Sequence, residues 1–97
     1  MARLIYSDRA LQDLERLASF LEDASPGAAD AAVDAVLHAV DVLAAHPLIG
    51  RRVSANYREL VISRGDAGYL ALYIFDAAKG LVRILRVRHQ REAGYMD

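Results

Sequence analysis

Ninety-seven residues, 55% of them apolar, suit one domain with one core, and a chain this size buries roughly two-thirds of its unfolded surface without needing staples. There is no cysteine, which excludes disulfides and thiolate metal sites, and His38, His46 and His89 are too scattered for a ligand motif, so neither metal nor cofactor is expected. The net charge of −1 hides an asymmetry: residues 1–48 carry three arginines against eight acids (−5), residues 49–97 nine Arg/Lys against five acids (+4), which argues for one basic face and against a uniformly basic chain.

Arg3-Leu4-Ile5-Tyr6 reads as a short first strand. Ser7 then caps a helix, with Asp8 at the positive end of its dipole. Leu11, Leu14, Leu17, Ala18, Leu21 and Ala24 recur at the spacing of one helical face. Ser25-Pro26-Gly27 closes this helix and is expected to open the next, Ser25 as cap and Pro26 at the first helical position. Ala29, Ala32, Val33, Val36, Leu37, Val40, Leu43 and Ala44 form the inner face of the second helix, and Asp30, Asp34, His38 and Asp41 its solvated outer face. His46-Pro47 ends it, because a residue before proline is pushed out of helical geometry, and His46 is expected to cap its C-terminus. The tight joint implies an antiparallel helical hairpin.

After Gly50 the periodicity changes. Gly50-Arg51-Arg52 reads as a turn with solvent-facing charge and Arg58–Ile62 as a strand. Residues 64–68 read as a turn, Tyr69–Phe75 as a second strand and Asp76–Gly80 as a hairpin loop, and Leu81–Arg88 is the last strand. Short connections make these three strands antiparallel neighbours, with the N-terminal strand joining an edge. The expected fold is α+β, in the order β-α-α-β-β-β: a helical hairpin on one face of a small, mainly antiparallel four-stranded sheet, all within a single domain, 1–97. Tyr69 and Tyr73 share a face with Ala71 and Phe75, and core packing explains them. The N-terminus lacks a signal-peptide layout and no apolar run is long enough to span a bilayer, so a cytoplasmic protein without membrane contact is expected.

Chemistry concentrates in the final stretch, Arg83 to Asp97. Guanidinium groups beside an imidazole and a phenol suit contact with phosphate, carboxylate or stacked rings. Arg83, Arg86, Arg88, His89, Arg91 and Tyr95 are therefore the target-binding candidates. The structural alternative is a solvated sheet edge, in which Arg86 pairs with Glu59 across the strands and His89 bonds a strand end.

Several short pieces resemble the RelE/ParE superfamily of type II toxin–antitoxin toxins, and more closely its ParE branch. They are Ser7-x-x-Ala10-x-x-Asp13-Leu14, Leu43-x-x-x-Pro47-x-x-Gly50-Arg51, Tyr57-Arg58-Glu59-Leu60, Tyr69-x-x-x-Tyr73 and Val87-Arg88-His89-Gln90-Arg91. The resemblance spans essentially the whole chain. It implies a small cytoplasmic toxin held inactive by an adjacently encoded, ParD-like antitoxin, with operator DNA reached only through that antitoxin. RelE-type members cleave mRNA on the ribosome, whereas ParE-type members poison DNA gyrase.

Cleavage by 2′-OH attack needs a base, a cation at the phosphate and an acid for the leaving oxygen. If this chain were a nuclease, Arg58, His89, Arg91 and Tyr95 would be the residues to supply them. In RelE-type members an arginine commonly follows the third-strand tyrosine, but Leu70 follows Tyr69 here. Of two cations presented on the preceding strand, Arg58 keeps one and Leu60 loses the other. The expectation is a ParE-like gyrase inhibitor rather than a catalyst, with an mRNA endoribonuclease as the alternative and an inactive, partner-binding relative as the second.

Overall fold

The structure is a computed structural model that describes residues 1–64, 67–92 and 94–95. Gly65 and Asp66 of the expected turn, and Ala93, Met96 and Asp97 of the final stretch, lie outside the described residues. Strand β1 (Arg3–Tyr6) leads into helix α1 (Asp8–Ala24) and helix α2 (Ala28–Asp41), which ends in a 3-10 turn at Val42–Ala44. Strands β2 (Arg51–Ser54), β3 (Tyr57–Arg64), β4 (Ala67–Asp76) and β5 (Leu81–His89) complete the chain. The sheet runs β1-β5-β4-β3-β2, with β1 parallel to β5 and every other pair antiparallel.

The α+β class and the place of β1 at an edge are as the sequence predicts; the strand count is five rather than four. Arg51 and Arg52 are not a turn but part of β2, paired with Glu59 and Arg58. This strand carries no buried residue, so hydrophobic alternation could not announce it. The helix boundary differs as well. Ser25 terminates α1, and α2 is capped by Gly27 at φ +87°, a conformation that glycine adopts without strain. The Gly27 N–H donates to the Glu22 carboxylate instead, which satisfies a free helix-terminal donor. His46, expected as a helix cap, is exposed in the turn beyond the 3-10 segment.

Ser7 does cap α1: its Oγ accepts from the Ala10 N–H at 3.0 Å and donates to the Leu85 carbonyl at 2.8 Å. The core lies between the helices and one sheet face, with Leu14, Leu17, Val36, Val40 and Leu43 packed against Tyr69, Tyr73, Val82, Ile84 and Val87. Leu11, predicted to face inward, is 47% exposed, and the buried stripe of α1 runs through Ala10 and Asp13 instead.

One irregularity decides which way the C-terminal side chains point. Across β4 and β5, Leu72 pairs with Arg86 but Tyr73 with Ile84, so Leu85 is an extra residue on β5. Such a bulge shifts the alternation by one position. Val82 and Ile84 face the helices before it, and Val87 and His89 after it, opposite Ala71 and Tyr69. Arg83, Arg86 and Arg88 are thereby set on the opposite, open face.

Beside the sheet, Tyr73 organises the loop before β2. Its hydroxyl donates to the Pro47 carbonyl at 2.9 Å and accepts the Gly50 N–H at 2.8 Å. A Cβ at Gly50 would stand 2.5 Å from that oxygen, so the position has no room for a side chain.

Candidate functional site

The predicted site residues fall into three places, separated by the sheet. On the helix side, His89 meets Tyr69 edge-to-face at 5.3 Å between ring centroids. Both border a cavity of about 520 Å³ whose apolar walls include Leu17, Phe20 and Leu21 of α1. Its polar lining is Arg16, His89, Arg91 and Glu92. Arg16 binds Glu92 with both terminal nitrogens, at 2.7 and 3.3 Å, and so fastens the segment after β5 to α1. The His89 Nδ1 accepts the Arg91 N–H at 3.0 Å, which places the proton of the neutral ring on Nε2.

On the open face, Tyr95 lies across two arginines, 5.2 Å from Arg88 and 5.5 Å from Arg86, guanidinium carbon to ring centroid. Its hydroxyl donates to Glu59 Oε2 at 2.8 Å, while Arg51 grips Oε1 through Nε and a terminal nitrogen at 3.2 and 2.6 Å. Burial pushes the Tyr95 phenol well above its usual range; the Glu59 carboxylate pushes the same way, and Arg88 offsets only part of this. Burial also acts to raise the Glu59 carboxyl. Hydrogen bonds from Arg51 and Tyr95, with the charges of Arg51 and Arg88, outweigh it and hold the group below the usual carboxylate range. Arg88 donates to the Glu92 carbonyl at 2.7 Å, and its buried Nε has no hydrogen-bond partner among the described residues.

Arg58 stands apart from both groups. Its guanidinium donates to the carbonyls of Leu48 and Gly50 at 3.1 and 2.9 Å, closing the loop that Tyr73 also holds. Arg83 is exposed on β5, farther from the tail than Arg86 and Arg88.

The Arg86–Glu59 pair of the structural alternative is not formed. Arg86 instead binds Asp13 on α1, through Nε at 2.9 Å and a terminal nitrogen at 3.1 Å. Strand β1 ends opposite Ile84, so the last residues of β5 form an uncovered edge. Asp13 covers part of it by accepting the Val87 N–H at 2.8 Å. Asp13, which is 4% exposed, entered the sequence analysis only within the Ser7–Leu14 piece and without a role, although one signal was present: a carboxylate inside an otherwise apolar helical stripe. Buried acids are retained where they are paired and hydrogen-bonded.

Chemically, the arrangement offers an apolar cavity edged by charge on one side and a clasped aromatic–arginine cluster on the other. Among the described residues, no group of three or more His, Asp or Glu could hold a metal, and no helix is long and apolar enough to cross a membrane.

Comparison with known proteins agrees with this architecture. The Caulobacter vibrioides protein "Toxin RelE3" is 42% identical over 85 residues, covering 87% of this chain and 89% of the relative. "Toxin RelE2" from the same organism is 37% identical over 89 residues, covering 92% and 96% respectively. Among solved structures, the chromosomal ParDE system of P. aeruginosa superposes with a TM-score of 0.76 at 22% identity, covering 92% of this chain and 96% of that one. A chain of the RelBE2 complex of Mycobacterium tuberculosis gives 0.57 at 29% identity, covering 92% and 98%. Residues 4–94 match the family described as ParE toxin of type II toxin-antitoxin system, parDE, and the chain belongs to that toxin family.

Proposed function

We propose that this toxin acts in the ParE manner, by binding DNA gyrase and blocking replication rather than by cutting RNA, and that a cognate, adjacently encoded ParD-like antitoxin neutralises it. The observation that carries this reading is the dispersal of the candidate catalytic groups. Arg58 is spent on loop carbonyls, His89 faces the helices with Nδ1 engaged, and the Tyr95 hydroxyl is bound to Glu59 on the opposite face. A general base, a phosphate-binding cation and an acid must meet within hydrogen-bond reach of one substrate. Arg91 borders the same cavity as His89, but Arg58 and Tyr95 lie elsewhere, so the four groups do not share one space. The raised Tyr95 phenol is also poorly matched to proton transfer near neutral pH. Leu70, in place of a phosphate-clamping arginine, is 3% exposed and contributes no charge.

An antitoxin partner accords with the solved relatives, which include ParDE and RelBE toxin–antitoxin complexes. The names of the curated relatives favour a second reading, a RelE-like ribosome-dependent endoribonuclease. One experiment separates the two. Brief induction without antitoxin is expected to halt DNA synthesis before protein synthesis, and purified toxin with gyrase and plasmid should accumulate cleaved DNA. Alanine at His89 should weaken this gradually, whereas a nuclease would lose about 10²–10⁴-fold from one missing acid or base. Codon-phased mRNA cuts with unimpaired gyrase would establish the ribonuclease instead.

A further inference from the structure

The helix-side cavity is held open by contacts that the chain already makes. Tyr69 and His89, paired across β4 and β5, meet edge-to-face on its sheet side. Leu17, Phe20 and Leu21 stand three and four residues apart, so one stripe of α1 supplies the apolar wall. The segment after β5 closes the remaining side. It is fastened by the Gln90 N–H to the Gly68 carbonyl at 2.9 Å and by the Arg16–Glu92 ion pair at 2.7 Å. The volume of about 520 Å³ lies inside the range of small-molecule sites, about 300–1,000 Å³.

The polar groups of the lining are unevenly satisfied. Both Glu92 oxygens accept from Arg16, and His89 Nδ1 accepts the Arg91 N–H, so these acceptors are engaged. The donors are open. With Nδ1 accepting, the His89 proton sits on Nε2. Among the described residues, neither that N–H nor the Arg91 guanidinium makes a hydrogen bond or ion pair. Arg16 and Glu92 cancel, which leaves the charge of Arg91 as the net charge of the lining. Apolar walls exclude a ligand that is polar throughout, and open N–H groups beside one cation call for an anionic acceptor.

We propose that this cavity binds a small monocarboxylate with an apolar body. The carboxylate is held by Arg91 and the His89 Nε2–H, and the body lies between Tyr69 and the apolar stripe of α1. A phosphate monoester suits the site less well, because its second charge finds no free cation: Arg16 is held by Glu92, whose own charge opposes it. The inference goes beyond the gyrase reading and does not depend on it, since the lining is the same whichever target the toxin acts on.

The test is a titration of 2-naphthoate into the ¹⁵N-labelled full chain, with the amides of Leu17, Phe20, Leu21, Tyr69 and His89 as reporters. One saturable site is expected, with the shifts concentrated at these residues. 2-Naphthamide keeps the rings and lacks the charge; it should bind about tenfold more weakly, the scale of one hydrogen bond to a charged group. Arg91→Gln should lower the affinity for the carboxylate to about that for the amide and leave the amide unaffected. Arg91 is exposed, so this variant should keep its fold. Should it not, the ratio of the two affinities in the wild type carries the test alone. No saturable binding, equal affinity for naphthoate and naphthamide, or shifts centred on the open sheet face would overturn the proposal. So would a folded Arg91→Gln protein that still prefers the carboxylate. Tighter binding of 2-naphthyl phosphate than of naphthoate overturns it in favour of a phosphate site.

Discussion

Asp13→Ala isolates the contact that ties the helices to the far side of the sheet. The carboxylate accepts from Arg86 Nε, from a terminal nitrogen of Arg86 and from the Val87 N–H, all within 3.1 Å, and Arg16 stands at 3.8 Å. Truncation takes the Asp13 carboxylate from a guanidinium that is only 14% exposed and leaves a buried strand-edge N–H without that acceptor. Breaking one side of a buried pair costs about 3–5 kcal/mol. The Tyr95 ring beside Arg86 and the partial exposure of the guanidinium place this case near the lower end, at about 3 kcal/mol. Against a total of about 5–15 kcal/mol for a domain, that is a large fraction. Asp13→Asn retains an acceptor for the Val87 N–H and should cost less, about 1–2 kcal/mol. Urea unfolding monitored by circular dichroism measures both, and the double variant with Arg86→Ala closes a thermodynamic cycle. A coupling energy above about 1 kcal/mol is expected for groups in direct contact. A loss below about 1 kcal/mol in Asp13→Ala, or strict additivity with Arg86→Ala, would refute the reasoning.

Glu59 makes stability depend on pH. Its folded-state pKa lies below the ordinary value of 4.5, so the stabilisation is fully present above 4.5 and is lost as pH falls through the lower folded value. Unfolding midpoints of wild type and Glu59→Gln should therefore converge on acidification below pH 4.5; parallel curves would count against the assignment. Tyr73→Phe should cost about 2 kcal/mol, since it strands the Gly50 N–H and the Pro47 carbonyl. Hydrogen exchange should accelerate at the Gly50 amide, and unchanged protection there would contradict the bridge.

Legibility followed the apolar pattern. Both helices and the three long strands repeat apolar residues at periods that a single buried face dictates, so they could be read directly. Strand β2 could not, because all four of its residues are exposed. The register shift was written in the sequence as two consecutive apolar residues, Ile84-Leu85, between Arg83 and Arg86. Strict alternation would have put Ile84, Arg86 and Arg88 on one face, and the extra residue separates them. The candidate site residues were identified as a cluster in sequence, but sequence proximity does not fix sides of a sheet. His89 and Arg88 are adjacent in the chain and project to opposite faces. Glu59 and Asp13 were underrated because an isolated acid carries little signal until its partner, 36 or 73 residues away, is brought beside it.

The same geometry revises what the arginine excess means. The +4 of the second half suggests a basic surface, yet much of that charge is turned inward or paired. Arg51 serves Glu59, Arg86 serves Asp13, and Arg58 and Arg88 hold backbone carbonyls. The planar fork of arginine suits this work, since two nitrogens can hold a carboxylate in one fixed orientation. Arg52, Lys79, Arg83 and Arg91, by contrast, are exposed, Arg83 on the open face and Arg91 beside the helix-side cavity. Exposed cations spread over separate points steer an acidic partner on approach more than they hold it afterwards. Affinity would then reside in the apolar walls of the cavity, where Phe20 is 69% exposed, and salt leaves these largely untouched. Association with the antitoxin should consequently slow as ionic strength rises while dissociation changes little. A dissociation rate that climbs steeply with salt would mean instead that the arginines hold the complex directly.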